Sequence, residues 1–176
     1  MKSEFSTVFH NLAAEPPTES FEVFGGVVEF LSWSEEFCVL RGTVAPGSVV
    51  ALHSHPDAED FFILSGSQQV LVQTVGGDLE WRDAHAGDYI RVPGDVLHAW
   101  RNVTDQPAVD LIVTTSRLGR FFAEVGRPVT DTLGPPTPEE VANFVAVSEK
   151  YGYVLGTPEE NAAVGITLPM FSSADG

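Results

Sequence analysis

One stretch of the sequence, residues 47–66, decides the fold, and it reads GSVVALHSHPDAEDFFILSG. Its two histidines, His53 and His55, are two residues apart, so on a strand both rings point to the same face. Glu59 follows a Pro-Asp turn, so the next strand can bring its carboxylate back beside the two rings. The glycines at the two ends suit turns that a Cβ atom would obstruct. The stretch therefore predicts two adjoining strands that present two imidazoles and a carboxylate to one space.

A second stretch, residues 87–102, reads GDYIRVPGDVLHAWRN and supplies a third imidazole, His98. If its strand lies opposite the first pair in a barrel, His53, His55, Glu59 and His98 converge inside. Three imidazoles and a carboxylate form a ligand set suited to Fe, Ni, Co, Cu, Mn or Zn. From the residue frequencies of this chain, the first pattern alone has a chance of roughly one in ten thousand. The two stretches together therefore predict a metal site.

The residues around these stretches alternate between short apolar runs and turn residues. The nine predicted strands cover residues 24–33, 37–45, 49–55, 61–65, 69–75, 79–84, 89–92, 99–103 and 108–114. Many short strands with short connections indicate an all-β sandwich or barrel with antiparallel neighbours. After residue 115 the pattern becomes helical, with capping-box signals that begin at Thr137 and Thr157. We therefore expect a lead-in over residues 1–20, a barrel over 21–115 and a helical extension over 116–176 that packs on the barrel.

The composition restricts the classes of partner. Acidic residues outnumber basic ones by 25 to 9 in 176 residues, which gives a formal net charge of −16. Such a charge repels phosphate backbones and anionic lipids, so we expect neither nucleic acid nor a membrane as a partner. The one cysteine, Cys38, allows no intrachain disulfide and is interpreted as a small apolar strand residue. No long apolar run and no secretory signal are present, so a cytoplasmic location is expected.

The two histidine stretches resemble the two motifs of the cupin superfamily. The likeness covers residues 47–102 by motif and residues 24–115 by strand pattern, and it departs at Asp95, where the family usually has glycine. The resemblance implies a small jelly-roll β-barrel that binds one divalent transition metal ion per chain, namely Fe, Ni, Co or Mn, with Zn or Cu as further options. The implied ligands are His53, His55, Glu59 and His98.

The C-terminal extension is similar to the tail of quercetinase-like single-domain cupins. This similarity rests on residues 121–129, 135–140 and 151–152, and it implies a flavonol 2,4-dioxygenase. In such an enzyme an aromatic hydroxy-ketone binds the metal, Glu59 takes its hydroxyl proton, and O2 cleaves the ring with release of carbon monoxide. The family also implies a homodimer. The aromatic residues available to close the barrel mouth over the substrate are Phe121, Phe122, Phe144 and Tyr151.

Other interpretations of the same residues remain open at the level of sequence. The site could belong to a metal-dependent cyclase or isomerase of polyketide-like aromatic compounds, or to a non-catalytic small-molecule-binding cupin. The pair Phe121 and Phe122 could serve only to pack a helix on the barrel. His10 and His85 have no partner at ligand spacing and are interpreted as surface residues.

Overall fold

The computed structural model describes residues 7–12 and 14–168. Over this part of the chain, twelve strands and three helices follow one another. The strands are β1 (Phe21–Val23), β2 (Gly26–Trp33), β3 (Phe37–Val44), β4 (Val49–Ser54), β5 (Glu59–Ser65), β6 (Ser67–Gln73), β7 (Leu79–His85), β8 (Tyr89–Val92), β9 (His98–Arg101), β10 (Ala108–Thr115), β11 (Arg127–Pro128) and β12 (Val154–Leu155). The helices are α1 (Ser116–Val125), α2 (Pro138–Tyr151) and α3 (Pro158–Ala163). None of the helices described is long and apolar enough to cross a membrane.

The strands form two antiparallel sheets that enclose a barrel. The seven-stranded sheet has the order β11-β1-β2-β3-β10-β5-β8, and the five-stranded sheet has the order β12-β4-β9-β6-β7. Strands distant in sequence are neighbours, since β10 lies between β3 and β5 and β9 lies between β4 and β6. This is the double-stranded β-helix, or jelly-roll, so the predicted all-β barrel with C-terminal helices is confirmed.

All nine predicted strands are present, as β2 to β10. Three short strands were not predicted: β1, β11 and β12. Segments of two or three residues carry no periodic signal, and β11 and β12 exist because they pair with β1 and β4 respectively. The C-terminal extension is therefore not only helical, because it adds an edge strand to each sheet.

Apolar side chains fill the space between the two sheets. Phe61 and Trp100 contact each other across this core, with ring centroids 4.5 Å apart, and Leu40 and Ile112 pack around them. Cys38 is fully buried on β3, and burial raises the pKa of its thiol to about 11. The thiol therefore behaves as an apolar group of the core, as the sequence indicated.

The two ends of the chain cover the outer faces of the sheets. On the five-stranded sheet, Leu52, Leu71 and Ala99 pack against Ile166. On the seven-stranded sheet, a buried ion pair joins Arg41 and Glu29 at 2.6 Å. The Arg41 guanidinium also donates to the backbone carbonyls of Leu12 and Glu15, and the Thr18 amide donates to Glu29. The lead-in thus satisfies charged groups that the sheet alone would leave exposed.

Both predicted capping boxes are present at the helix starts. Thr137 and Glu140 cap α2 reciprocally, and Thr157 and Glu160 do the same for α3. Leu118 and Phe121 of α1 pack with Val147 of α2 and with Tyr153. This small second core joins the helices to the open end of the barrel.

Candidate metal centre

Adjacent strands bring the three motif histidines together. His53 on β4 lies directly opposite His98, the first residue of β9, and their ring centroids are 4.2 Å apart. His55 follows the last residue of β4, and Glu59 is the first residue of β5. One ring nitrogen from each of the three histidines lies within 4.8 Å of the other two. The predicted convergence of the three histidines, and hence a possible metal site, is thereby confirmed.

The backbone fixes the orientation of all three imidazole rings. In each ring, Nδ1 lies within hydrogen-bond distance of a carbonyl oxygen two residues away. The pairs are His53 with Ala51 at 2.7 Å, His55 with Asp57 at 2.9 Å and His98 with Val96 at 2.8 Å. A Nδ1–H that donates to a carbonyl leaves the lone pair of Nε2 free for a metal ion. The backbone therefore prepares three Nε2 ligands.

Glu59 lies beside two of these nitrogens. Its Oε2 atom is 3.2 Å from His55 Nε2 and 3.6 Å from His98 Nε2, and its side chain is buried. Burial alone would raise the pKa of Glu59, but the hydrogen bond from His55 and the charge of both rings hold that pKa well below its usual value. Burial likewise lowers the pKa of His55, but the hydrogen bond and charge of Glu59 outweigh it and raise that pKa. Each of the two side chains thus favours the charged form of the other.

The ligand set fits a divalent cation. His98 Nε2 is buried and has no hydrogen-bond partner within the described residues. Burial, together with repulsion from His98 and His55, lowers the pKa of His53 well below its ordinary value, which favours the neutral ring that a metal requires. A cation placed between His98 Nε2 and the Glu59 carboxylate would give both groups a partner. A transition metal ion is such a cation, and it accepts nitrogen and oxygen ligands.

The turn between His55 and Glu59 is held from two sides. The Asp95 amide donates to the carbonyl of His55 at 2.7 Å, and the Asp57 carboxylate accepts from Thr115 and Arg117. Asp95 has φ +64°, so it adopts the left-handed conformation that glycine usually supplies in the family motif. The departure at Asp95 therefore leaves the turn intact, and the second motif supports the first.

A cavity of about 370 Å³ extends from the histidines into the barrel, and most of its lining is apolar. Phe121, Phe122 and Phe144 line it, together with His53, His55, His98 and Glu59. Tyr151 does not line it: this residue ends α2, and its hydroxyl donates to Glu124 at 3.0 Å. The structure thus places three of the four aromatic residues chosen from the sequence at the cavity and Tyr151 outside it.

Tyr153 is an aromatic cavity residue that the sequence analysis did not identify. Its ring stacks on Phe121 with centroids 4.0 Å apart and lies 4.7 Å from the ring of His55. Burial is the main cause that raises the pKa of Tyr153 well above its usual value, and the negative charge of Glu59 adds to the effect. Gly152 ends α2 in the left-handed conformation and turns the chain so that Tyr153 points inward. In the sequence, the one signal for this change of chain direction was Gly152, because glycine often ends a helix.

The remaining histidines and the second motif's asparagine have other roles. His10 and His85 are exposed, as predicted. Asn102 is buried and donates to the carbonyls of Val44 and Gln106, and its own carbonyl accepts from Thr104. Asn102 therefore holds a loop together and is not a ligand.

Comparisons with known proteins found one family model and several solved structures that are similar to this chain. Residues 40–114 match the family model described as "Cupin domain". Similar solved structures include an uncharacterized conserved protein with a double-stranded beta-helix domain from Klebsiella pneumoniae, 17% identical over 63% of this chain and 90% of that one, with a TM-score of 0.49. The polyketide cyclase RemF from Streptomyces resistomycificus is 16% identical over 77% of this chain and 89% of that one, with a TM-score of 0.48.

A third similar structure is a deletion mutant of the oxalate decarboxylase OxdC from Bacillus subtilis. It is 29% identical over 55% of this chain, with a TM-score of 0.47, and this chain matches 27% of its length. The comparison with curated proteins gave no match.

Proposed function

We propose, from the match of residues 40–114 to the cupin domain model and from the site described above, that the chain is a metal-dependent dioxygenase of the quercetinase type. Its substrates are an aromatic hydroxy-ketone of the flavonol class and O2. One observation carries the proposal: a histidine triad, in which His55 and His98 are buried and His53 is half-buried, opens with an adjacent carboxylate into an apolar cavity of about 370 Å³. Such a volume suits a small organic molecule, and the apolar lining suits a flat aromatic one.

The metal would be held by the Nε2 atoms of His53, His55 and His98, with Glu59 as a further ligand. A divalent transition metal ion bound there supplies a Lewis-acidic and redox-capable centre with open coordination positions. Imidazole and carboxylate donors suit Fe, Ni, Co and Mn, and they also accept Zn or Cu. Elemental analysis of freshly purified protein identifies the ion that the chain retains.

Glu59 accepts the hydroxyl proton of the substrate at Oε2, the oxygen that faces His55 and His98. Phe121 and Tyr153 contact the flat ring and exclude water from the reacting atoms. Ring cleavage consumes one O2 and breaks the two bonds to the hydroxyl-bearing carbon, which leaves as carbon monoxide with its own oxygen. Both atoms of O2 remain in the ester acid product, so the reaction needs no other oxidant or reductant.

Oxygen consumption is the direct test. Protein loaded separately with Fe, Ni, Co and Mn should consume one O2 per flavonol and release carbon monoxide. Glu59→Gln should lose activity to a greater extent than metal content, since glutamine retains a ligand oxygen but cannot accept the proton. The matched control is Glu80→Gln, which changes an exposed carboxylate on β7. Absence of O2 uptake with all four metals contradicts the proposal, and an equal loss of metal and activity in Glu59→Gln removes the role as a base.

A metal-dependent cyclase or isomerase of polyketide-like aromatic compounds is the second candidate. The observation that favours it is the phenol of Tyr153, which lies against His55 and stays protonated because burial raises its pKa, so it offers an O–H group to a substrate whose proton Glu59 accepts. Turnover that Zn supports as well as Fe, without O2 uptake, would identify this function. Tight binding without turnover under any metal would identify a binding protein.

A second copy of the chain is the proposed partner, as a homodimer. The outer face of the seven-stranded sheet exposes Phe62, Tyr89 and Val113 on neighbouring strands. Apolar side chains that adjoin in this way are typical of protein interfaces. Light scattering that gives the mass of one chain would contradict the dimer and leave the metal site unaffected.

A further inference from the structure

A second polar pair, Asp110 and Gln68, is buried in the barrel. Asp110 lines the same cavity as the histidines, and both of its carboxylate oxygens accept from Gln68 Nε2 at 2.9 Å. The two side chains are almost fully buried, at 2% and 1% exposure. Gln68 Oε1 has no hydrogen-bond partner within the described residues. The pair is therefore a polar site that the metal centre does not use.

Strand register places this pair far from the metal centre. Thr114 on β10 is the register partner of Glu59, and Asp110 precedes it on the same strand by four residues. Four residues of extended strand correspond to about 13 Å. Ile112 lies between the two levels and lines the cavity together with Phe61 and Trp100. The cavity is thus polar at two separated positions and apolar between them.

The hydrogen bonds of Asp110 are incomplete for a buried carboxylate. A carboxylate offers about four acceptor positions, and Gln68 is its one side-chain partner among the described residues. No Lys, Arg or His of the described chain forms an ion pair with it. Buried polar groups normally have partners, and a buried charge without one is costly. Packing alone gives no reason for an acid at this position, whereas a ligand that donates to it does.

We propose that Asp110, oriented by Gln68, is a second substrate anchor whose carboxylate accepts a hydrogen bond from a hydroxyl group at the end of the substrate remote from the metal. The proposal rests on the dioxygenase function for the metal-binding end. The expected substrates are elongated aromatic molecules that carry metal-binding oxygens at one end and a phenolic hydroxyl at the other. Asp110 repels a substrate with a carboxylate at that end.

Two flavonols serve as probes: one has no hydroxyl on its pendant phenyl ring, and the other has a single hydroxyl at the para position of that ring. Binding is followed by quenching of tryptophan fluorescence, because Trp100 lines the cavity. Zinc-loaded protein is kept without O2, so that turnover is not required. A hydrogen bond to a buried carboxylate should make the hydroxylated flavonol bind about tenfold more tightly or better.

The variant Asp110→Asn should abolish this preference while the unsubstituted flavonol binds as before. In this variant the asparagine side-chain oxygen accepts from Gln68 Nε2, and its NH2 group donates to Gln68 Oε1. The substrate hydroxyl then loses the carboxylate that accepts its hydrogen bond. The control Asp60→Asn changes a carboxylate on β5 that binds Arg91 on the outer face of the sheet, and it should retain the preference. Thermal denaturation confirms that both variants are folded.

The outcomes distinguish a failure of the anchor proposal from a failure of the dioxygenase proposal. A preference for the hydroxylated flavonol that disappears only in Asp110→Asn establishes the anchor, even if no metal supports O2 uptake. Equal affinity of the two flavonols for the native chain overturns the anchor, even if both are turned over. A preference that persists in Asp110→Asn, or the failure of both flavonols to bind, also overturns it.

Discussion

Replacing Asp110 with asparagine should stabilise the fold at neutral pH. Burial raises the pKa of this carboxyl from 3.8 to about 6, and the hydrogen bond from Gln68 offsets only part of the effect. Between those two pH values the folded chain holds a proton that the unfolded chain has released. The stabilising contribution of Asp110 is therefore complete below pH 3.8 and is lost as the pH rises through about 6.

The magnitude follows from the difference between the two pKa values. A shift of about two units, at 1.36 kcal/mol per unit, corresponds to about 3 kcal/mol of destabilisation above pH 6. Asparagine carries no charge and avoids this cost. It can also donate to Gln68 Oε1, the buried acceptor without a partner, which adds a contribution that does not depend on pH. In a chain of this length, 3 kcal/mol corresponds to a rise in Tm of about 6–12 °C.

Urea titrations of the native chain and of Asp110→Asn provide the assay. The difference in the free energy of unfolding should be about 3 kcal/mol or more at pH 7 and should shrink steadily between pH 6 and pH 4. Asp60→Asn, in the same titrations, corrects for the change in net charge. A difference that is independent of pH, or a less stable variant at pH 7, would refute the assignment of Asp110 as a buried charge with incomplete partners.

Substitutions at four further positions test the candidate metal site and three turns of the barrel. His55→Ala should leave the barrel folded but weaken metal binding by about 100-fold or more, as measured by equilibrium dialysis with elemental analysis; metal binding close to that of the native chain would exclude His55 as a ligand. Gly66→Ala should cost more than about 2 kcal/mol, because Gly66 has φ +73° and a Cβ atom would lie 2.3 Å from the Pro107 carbonyl oxygen. Gly77→Ala, at φ +89° with open space around it, should cost only about 1 kcal/mol, so equal losses in urea titrations would contradict the steric argument. Asp95→Val should cost about 1–2 kcal/mol and Asp95→Gly should be tolerated, since φ is +64° at this position; a tolerated valine would show that the turn can relax.

The sequence was sufficient to predict the histidines because their spacing is local. His53 and His55 share a face by the alternation of a strand, and a short turn returns Glu59 to the same place. The pairing of His53 with His98 is different, since it joins strands 45 residues apart. No local pattern specifies such a register, and the resemblance to a family implied only that the four side chains meet; the strand of His98, expected opposite the first pair, is instead the neighbour of β4. Local geometry was therefore predictable, and long-range pairing was not.

Asp110 shows why strand patterns can mislead. Along β10 the apolar residues Val109, Leu111 and Val113 alternate with Asp110, so the sequence favours an inward apolar face and an outward acid. The structure has the opposite arrangement, because Asp110 and Ile112 face the cavity while Val113 is exposed. An inward acid and an outward apolar face are both unfavourable for an isolated barrel. They are consistent with a ligand on one side of the sheet and a protein partner on the other.

Tyr151 and Tyr153 show how the end of a helix changes the assignment of a site. Tyr151 still belongs to α2 and lies beside Glu124, whereas the left-handed turn at Gly152 redirects the chain and brings Tyr153 to the cavity. A sequence pattern locates the helix, but the direction of the chain after it depends on the surface that the next residues contact. That surface is β4 itself, which pairs with the strand that follows Tyr153.

The C-terminal extension consequently contacts both β4 and the turn that follows it in the candidate metal centre. Leu155 on β12 is the register partner of His53, so the extension hydrogen-bonds to the strand that carries the first histidine. Arg117 on α1 pairs with Asp57 in the turn between His55 and Glu59, and its guanidinium also donates to the carbonyl of Tyr151 at the end of α2. Both halves of the first motif are thus held by residues beyond the barrel. Because ligand positions must be fixed closely for a metal site to work, we expect the extension to influence metal binding through the positions of these histidines and Glu59.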